Sequence, residues 1–193
     1  MRDSEKQNMH YLLSPSMCDY VSARFLLIHD NLNRSAFSLI AQFLEKAIKQ
    51  IIILSYEEDV KKHFKDENGD IFSYLKSKKL LHHNTKQILE DHSQIIDLKE
   101  IMDKKEFFNF ISSFSDIKGD GKWFTDTRYG KYYIGATYPT IIDTLDELAF
   151  KLINTIIAKL SNHPIKVHVP ENMKKYFLFN NKYFSESTIE EIP

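Results

Sequence analysis

The sequence predicts an all-α fold: an up-and-down bundle of four to five main helices with a small C-terminal β-hairpin appendage. Three observations predict it. Only 5 Gly and 5 Pro occur among 193 residues, too few for the turns of a sandwich or barrel. Hydrophobic residues make up 42% and aromatics 13%, enough for a sizeable buried core. Several long segments repeat their apolar residues at the helical period. The organisation read from these patterns is a flexible N-terminus over 1–14, a helical bundle over 15–162 and a β appendage over 163–193.

Ser14-Pro15-Ser16 reads as a helix start, because proline suits a first turn. The first helix then runs from about 16 to 30. Met17, Tyr20, Val21, Leu27 and Ile28 share one face, with Arg24 at its centre. After a short turn at 31–33, a second helix spans about 34–55. Phe37, Ile40, Ala41, Leu44, Ala47, Ile48, Ile51 and Ile52 form its apolar stripe. Ser35, Ser38, Gln42 and Lys49 fall on the other side, and Glu45 and Lys49 form an i, i+4 pair. So short a connection makes the two helices an antiparallel hairpin.

Residues 57–106 hold 12 acidic and 10 basic side chains, which reads as solvated faces. Asp66–Asp70 is a turn, and short helices are expected near 70–79, 83–92 and 97–114. Residues 115–137 form a long loop with four of the five glycines and the only tryptophan; loops this long in compact domains are often functional. A long helix follows over about 138–160, with Pro139 in its first turn and Asn162-His163-Pro164 as its stop. Ile165–Val169 alternates like a strand. Tyr176–Phe179 and Lys182–Phe184, joined at Asn180-Asn181, read as a small hairpin.

Charge and composition exclude several classes. The net charge of −1 leaves no global basic field for nucleic acid, so any such contact is local. One cysteine, Cys18, rules out a disulfide framework or Cys-based zinc cluster and fits a reducing, cytoplasmic setting. No apolar run approaches the length of a bilayer span, so no membrane association is expected. The eight histidines are scattered, and adjacent His82 and His83 diverge by ~100° on a helix, so neither a metal site nor any other cofactor is expected. Nucleophile-elbow and phosphate-loop motifs are absent.

Two arginines stand out among only four. Arg24 lies in an apolar stripe and needs a partner; Glu45, across the hairpin, is the expected one. Arg128 and Tyr129 share the long loop with Trp123, Phe124, Tyr132, Tyr133, Lys118, Lys122 and Lys131. Cations interleaved with aromatics suit stacked bases and phosphates, so Arg128, Tyr129, Lys131 and Trp123 are candidate RNA- or nucleotide-binding residues.

Three segments carry a family resemblance. Ala23-Arg24-Phe25-Leu26-Leu27, followed by Ala36–Lys49, is similar to an A-x-x-L-L, A-x-x-x-A-(Q/A)-x-x-x-E-K-x-x-K run. His83-Asn84-Thr85-Lys86-Gln87-Ile88-Leu89 is similar to an H-(N/D)-x-x-x-L segment, and Thr127-Arg128-Tyr129 precedes the last long helix as an R-Y element. In this order the segments resemble the HEPN superfamily of small prokaryotic helical domains. The abortive-infection branch is a comparable match, through Glu45, Lys49 and the aromatic stretch before Pro139. Ribonuclease members carry Arg-x(4–6)-His, but the next histidine after Arg128 is His163. The formal match, Arg24 to His29, has ends that diverge by ~140° on an ideal helix.

The resemblance implies a nucleotide- or RNA-binding protein of a defence, toxin–antitoxin or stress system, lacking that ribonuclease motif. It also implies a homodimer and an antitoxin-type protein partner. One alternative is a metal-independent endoribonuclease built from His83, Lys86 and Arg128, with His82 nearby and Glu45 and Lys49 orienting them. Another is a non-catalytic dimeric scaffold.

Overall fold

The computed structural model describes residues 12–30, 33–66, 70–95, 138–160 and 167–192. Helix α1 runs over Leu13–Phe25 and continues as a π-type turn over Leu26–Asp30. It is followed by α2 (Asn33–Ser55), α3 (Glu57–Asp66), α4 (Ile71–Ser77), α5 (Thr85–Asp91) and α6 (Tyr138–Leu160). The C-terminal segment holds β1 (Val167–Pro170), α7 (Lys174–Leu178) and β2 (Ile189–Ile192). The described residues are therefore mostly helical, with a small two-stranded sheet in the C-terminal segment.

Helix α2 is the central element. It packs on α1, α6, α5 and α3, and its buried residues reach well round its circumference: Phe37, Ile40, Phe43, Leu44, Ala47, Ile48, Ile51 and Ile53 are all essentially inaccessible. A helix apolar on so many sides is stable only inside a bundle. Lys49, expected on the polar face, is buried for the same reason. The facing register with α1 is set by Tyr20 against Phe43, 5.4 Å between ring centroids, and by the Lys46–Asp19 ion pair at 2.5 Å. Leu12 and Leu13 belong to the core, and the Leu12 amide donates to Gln50 Oε1 at 3.1 Å. The helix thus starts three residues before the expected position, and the bundle takes in the last residues of the end read as flexible.

Helix α3 was hidden by its charge. Its Val60 and Phe64 are one turn apart on the inner side, while Glu57, Glu58 and Asp59 occupy the first turn and His63 and Lys65 the last. That charge order matches the helix dipole. The expected helices near 70–79 and 83–92 are present as α4 and α5, and α6 covers the expected span. The helix expected near 97–114 and the loop over 115–137 lie outside the described residues.

The appendage is β in character, but its strands are not a hairpin. β1 and β2 pair in parallel, with Val167 opposite Ile189 and Val169 opposite Glu191. Residues 176–178 of the Tyr176–Phe179 segment expected as a strand lie instead in α7, within the crossover that a parallel pair requires. Asn180, expected at the hairpin tip, instead follows the end of α7 with φ of 51°, a left-handed conformation that asparagine tolerates at helix ends. Val167, Val169, Phe177, Phe184 and Ile189 join the same core as the bundle helices. No described helix is long and apolar enough to cross a membrane.

Candidate functional site

Glu45 and Lys49 stand one turn apart on the flank of α2, and the 80–84 segment between α4 and α5 crosses over them. Lys49 is 5% exposed. Its Nζ donates to Glu45 Oε1 at 2.6 Å and to the His82 carbonyl at 3.0 Å. The lysine therefore neutralises the carboxylate and ties the loop to the helix. A buried ammonium is tolerable only with such partners. On the outer side of Glu45, His83 Nδ1 lies 3.1 Å from Oε1 and 3.0 Å from Oε2.

This geometry assigns protons. An ionised carboxylate only accepts, so Nδ1 of His83 carries the hydrogen it shares with Glu45. In the neutral form of the ring the other nitrogen, Nε2, is then the basic atom, and the His83 side chain is 68% exposed. A carboxylate that holds the tautomer of an accessible histidine is the arrangement that general acid–base chemistry uses. His82 behaves differently. Its Nδ1 accepts the Asn84 amide at 3.3 Å. Burial, and then the Lys49 charge, lower its pKa, so it stays neutral. Asn84 Oδ1 in turn accepts the Gln87 amide at 3.1 Å and caps α5, which fixes the loop immediately after His83.

The expected residues are brought together in part. His83, Glu45 and Lys49 form one contiguous cluster with the His82 backbone. Lys86 lies on the first turn of α5, three residues beyond His83. Trp123, Arg128, Tyr129 and Lys131 lie outside the described residues. Among the described residues, no group of three or more His, Cys, Asp or Glu side chains is arranged to hold a metal ion.

The expected Arg24–Glu45 pair is not formed. Arg24 is fully buried, as its place in the apolar stripe requires, but its partner is Asp146 of α6: Nε donates to Oδ1 at 2.9 Å and to Oδ2 at 3.1 Å. The guanidinium also donates from Nη1 to the Tyr176 carbonyl and from Nη2 to the Phe179 carbonyl at 2.7 Å. Tyr20 Oη donates to Asp146 Oδ1 at 2.8 Å. Register explains the difference. With Tyr20 opposite Phe43 and Asp19 opposite Lys46, Glu45 is level with residue 19, about 8 Å along the axis from Arg24 at 1.5 Å per residue. Burial raises the Asp146 pKa, and Arg24 and Tyr20 oppose that shift. Burial, reinforced by Asp146, raises the Tyr20 phenol well above its usual range, so it remains a donor.

Asp146 is the residue that sequence reasoning missed. A signal existed: Ile142, Ala149 and Ile153, at i−4, i+3 and i+7, are all apolar, so the wheel of α6 already set an acid among core positions. The formal Arg24-x(4)-His29 match has one end sealed in the core and the other exposed on the π-type turn. No protein-family model matches the chain, and neither a curated protein nor a solved structure does.

Proposed function

We propose that this chain is a HEPN-like RNA- or nucleotide-binding protein of a prokaryotic defence, toxin–antitoxin or stress system. One observation carries the reading. Two of the segments on which the resemblance rests, Ala36–Lys49 and His83–Leu89, meet in space through Glu45–His83, beside the bond from Lys49 to the neighbouring His82 carbonyl. Segments 34 or more residues apart in sequence thus build one polar cluster with an accessible imidazole. The same resemblance supports a homodimer with an antitoxin-type partner. Titration with single-stranded RNA and with mononucleotides at low salt tests the reading. Saturable binding that weakens in Arg128→Ala is expected, and no binding of either ligand refutes it.

The Glu45–His83 contact favours a second reading, a metal-independent endoribonuclease. In that chemistry His83 Nε2 takes the proton of a ribose 2′-hydroxyl, and the freed oxygen attacks the adjacent phosphorus. The 5′ oxygen leaves with a proton from an acid, for which Lys86 is the candidate, while Arg128 holds the phosphate. The products are a 2′,3′-cyclic phosphate and a 5′-hydroxyl. Cleavage that persists in EDTA and falls by roughly 10²-fold or more in His83→Ala is expected. Intact RNA after prolonged incubation rejects this second reading and leaves the binding reading standing.

A further inference from the structure

The C-terminal segment and the end of α1 build a second surface, which includes neither Glu45 nor His83. Phe25 and His29 stack with ring centroids 4.8 Å apart and planes 22° from parallel. The π-type turn explains this. In an α-helix, residues four apart overshoot a full turn by ~40°, and the wider i→i+5 turn reduces that offset. Tyr176 of α7 meets both rings edge-on, 5.2 Å from Phe25 and 4.5 Å from His29. Its backbone is held from beneath, because its carbonyl accepts from the buried Arg24. Lys175 places its ammonium 4.6 Å from the Tyr176 centroid. His29 and Lys175 are exposed, and Phe25 and Tyr176 are half-buried.

We infer that Phe25, His29, Tyr176 and Lys175 form a stacking site for a nucleobase and its adjoining phosphate, which rests on the RNA- or nucleotide-binding reading above. Rings already packed against one another, with His29 exposed at their rim, need little further ordering to stack on a base, and base–aromatic stacking tolerates any base. The lysine beside the rings supplies the positive charge that the phosphate needs and that the chain as a whole, at −1, does not. Aromatic packing alone would not call for an exposed histidine and an exposed lysine at its rim. The ligand is a nucleotide unit, either free or within a single strand.

Fluorescence anisotropy with a labelled uridine-rich RNA 12-mer, and calorimetry with ATP, test the site at low salt. His29→Ala and Tyr176→Leu should each weaken Kd about ten-fold or more, the scale of losing one base stack. Lys175→Gln should weaken binding and flatten its salt dependence. RNA carrying 5-iodouridine should photocrosslink to the peptide containing Tyr176 or to the one containing Phe25 and His29. A strand-specific site responds in the RNA arm, and a free-nucleotide site in the ATP arm; a loss in either supports the inference. Should Tyr176→Leu fail to fold, His29→Ala at its exposed position decides. Wild-type binding that all three variants retain, with crosslinks elsewhere, overturns this site and leaves the binding reading intact. Wild-type protein that binds neither probe overturns both.

Discussion

At the scale of single residues, Arg24 illustrates how a buried charge is accommodated. It satisfies its guanidinium with one carboxylate and two carbonyls, all contributed from far along the chain. Removing one member of such a pair strands the other, at a cost of about 3–5 kcal/mol. Arg24→Met and Asp146→Leu should therefore each lower stability strongly, and the double variant should lose much less than their sum. Glu45→Leu should also cost stability, because it strands the buried Lys49 ammonium, but it leaves the Arg24 pair intact, since Glu45 is bonded to Lys49 and His83 instead. Thermal melts of the four proteins check this; additive, sub-kcal effects of Arg24→Met and Asp146→Leu would refute the coupling. That Arg24 would be buried was legible from the spacing of Tyr20, Val21 and Leu27. Its partner was not, because two acids were compatible with the wheel and only the interhelical register chooses between them.

At the scale of elements, ends carry information that periodicity lacks. Helix α4 begins with a reciprocal cap: the Ser73 amide donates to Asp70 Oδ1 at 2.7 Å, and the Asp70 amide donates to Ser73 Oγ at 3.0 Å. The bond from the Ser73 amide holds the Asp70 carboxyl below its usual 3.8. A depressed folded-state pKa contributes stability that is present above the unfolded value and is lost as pH falls through the folded one. Asp70→Ala should thus melt earlier than wild type at neutral pH, and the gap should close as the pH drops below 3.8. Melting curves across that range check it, and a gap independent of pH would show that the carboxylate charge plays no part. At the end of α7, Asn180 holds φ of 51°. A β-branched residue there costs roughly 1–2 kcal/mol, so Asn180→Val should destabilise by about that amount, and Asn180→Gly should melt close to wild type. Asn180-Asn181 was correctly legible as a turn. Whether a turn closes a hairpin or ends a helix depends on what the flanking aromatics pack against. Here Phe177 and Phe184 both meet Tyr20, with centroids 5.6 Å away in each case.

At the scale of the whole molecule, the C-terminal segment completes the bundle. Five of its apolar side chains, Val167, Val169, Phe177, Phe184 and Ile189, are buried in the common core, and Phe184 also packs edge-on against Phe150 of α6 at 5.8 Å. At about 1.5–3 kcal/mol per buried side chain, their loss rivals the entire stability of a typical domain. A chain lacking residues 167–193 should show no cooperative melt and should aggregate; a soluble truncation with a sharp transition would show that the bundle folds without its tail. The sequence alone determined the helical class, the α1–α2 hairpin, the extent of α6 and the burial of Arg24. All of these follow from the 3.6-residue spacing of apolar side chains, a property local to each segment. Only the tertiary structure decided that Arg24 meets Asp146, that Glu45 meets His83, that Lys49 is buried, and that the tail strands run parallel. Each of these depends on register and on contacts between segments tens of residues apart, where a shift of one helical turn, about 5.4 Å, exchanges one charged partner for another while leaving the local pattern unchanged.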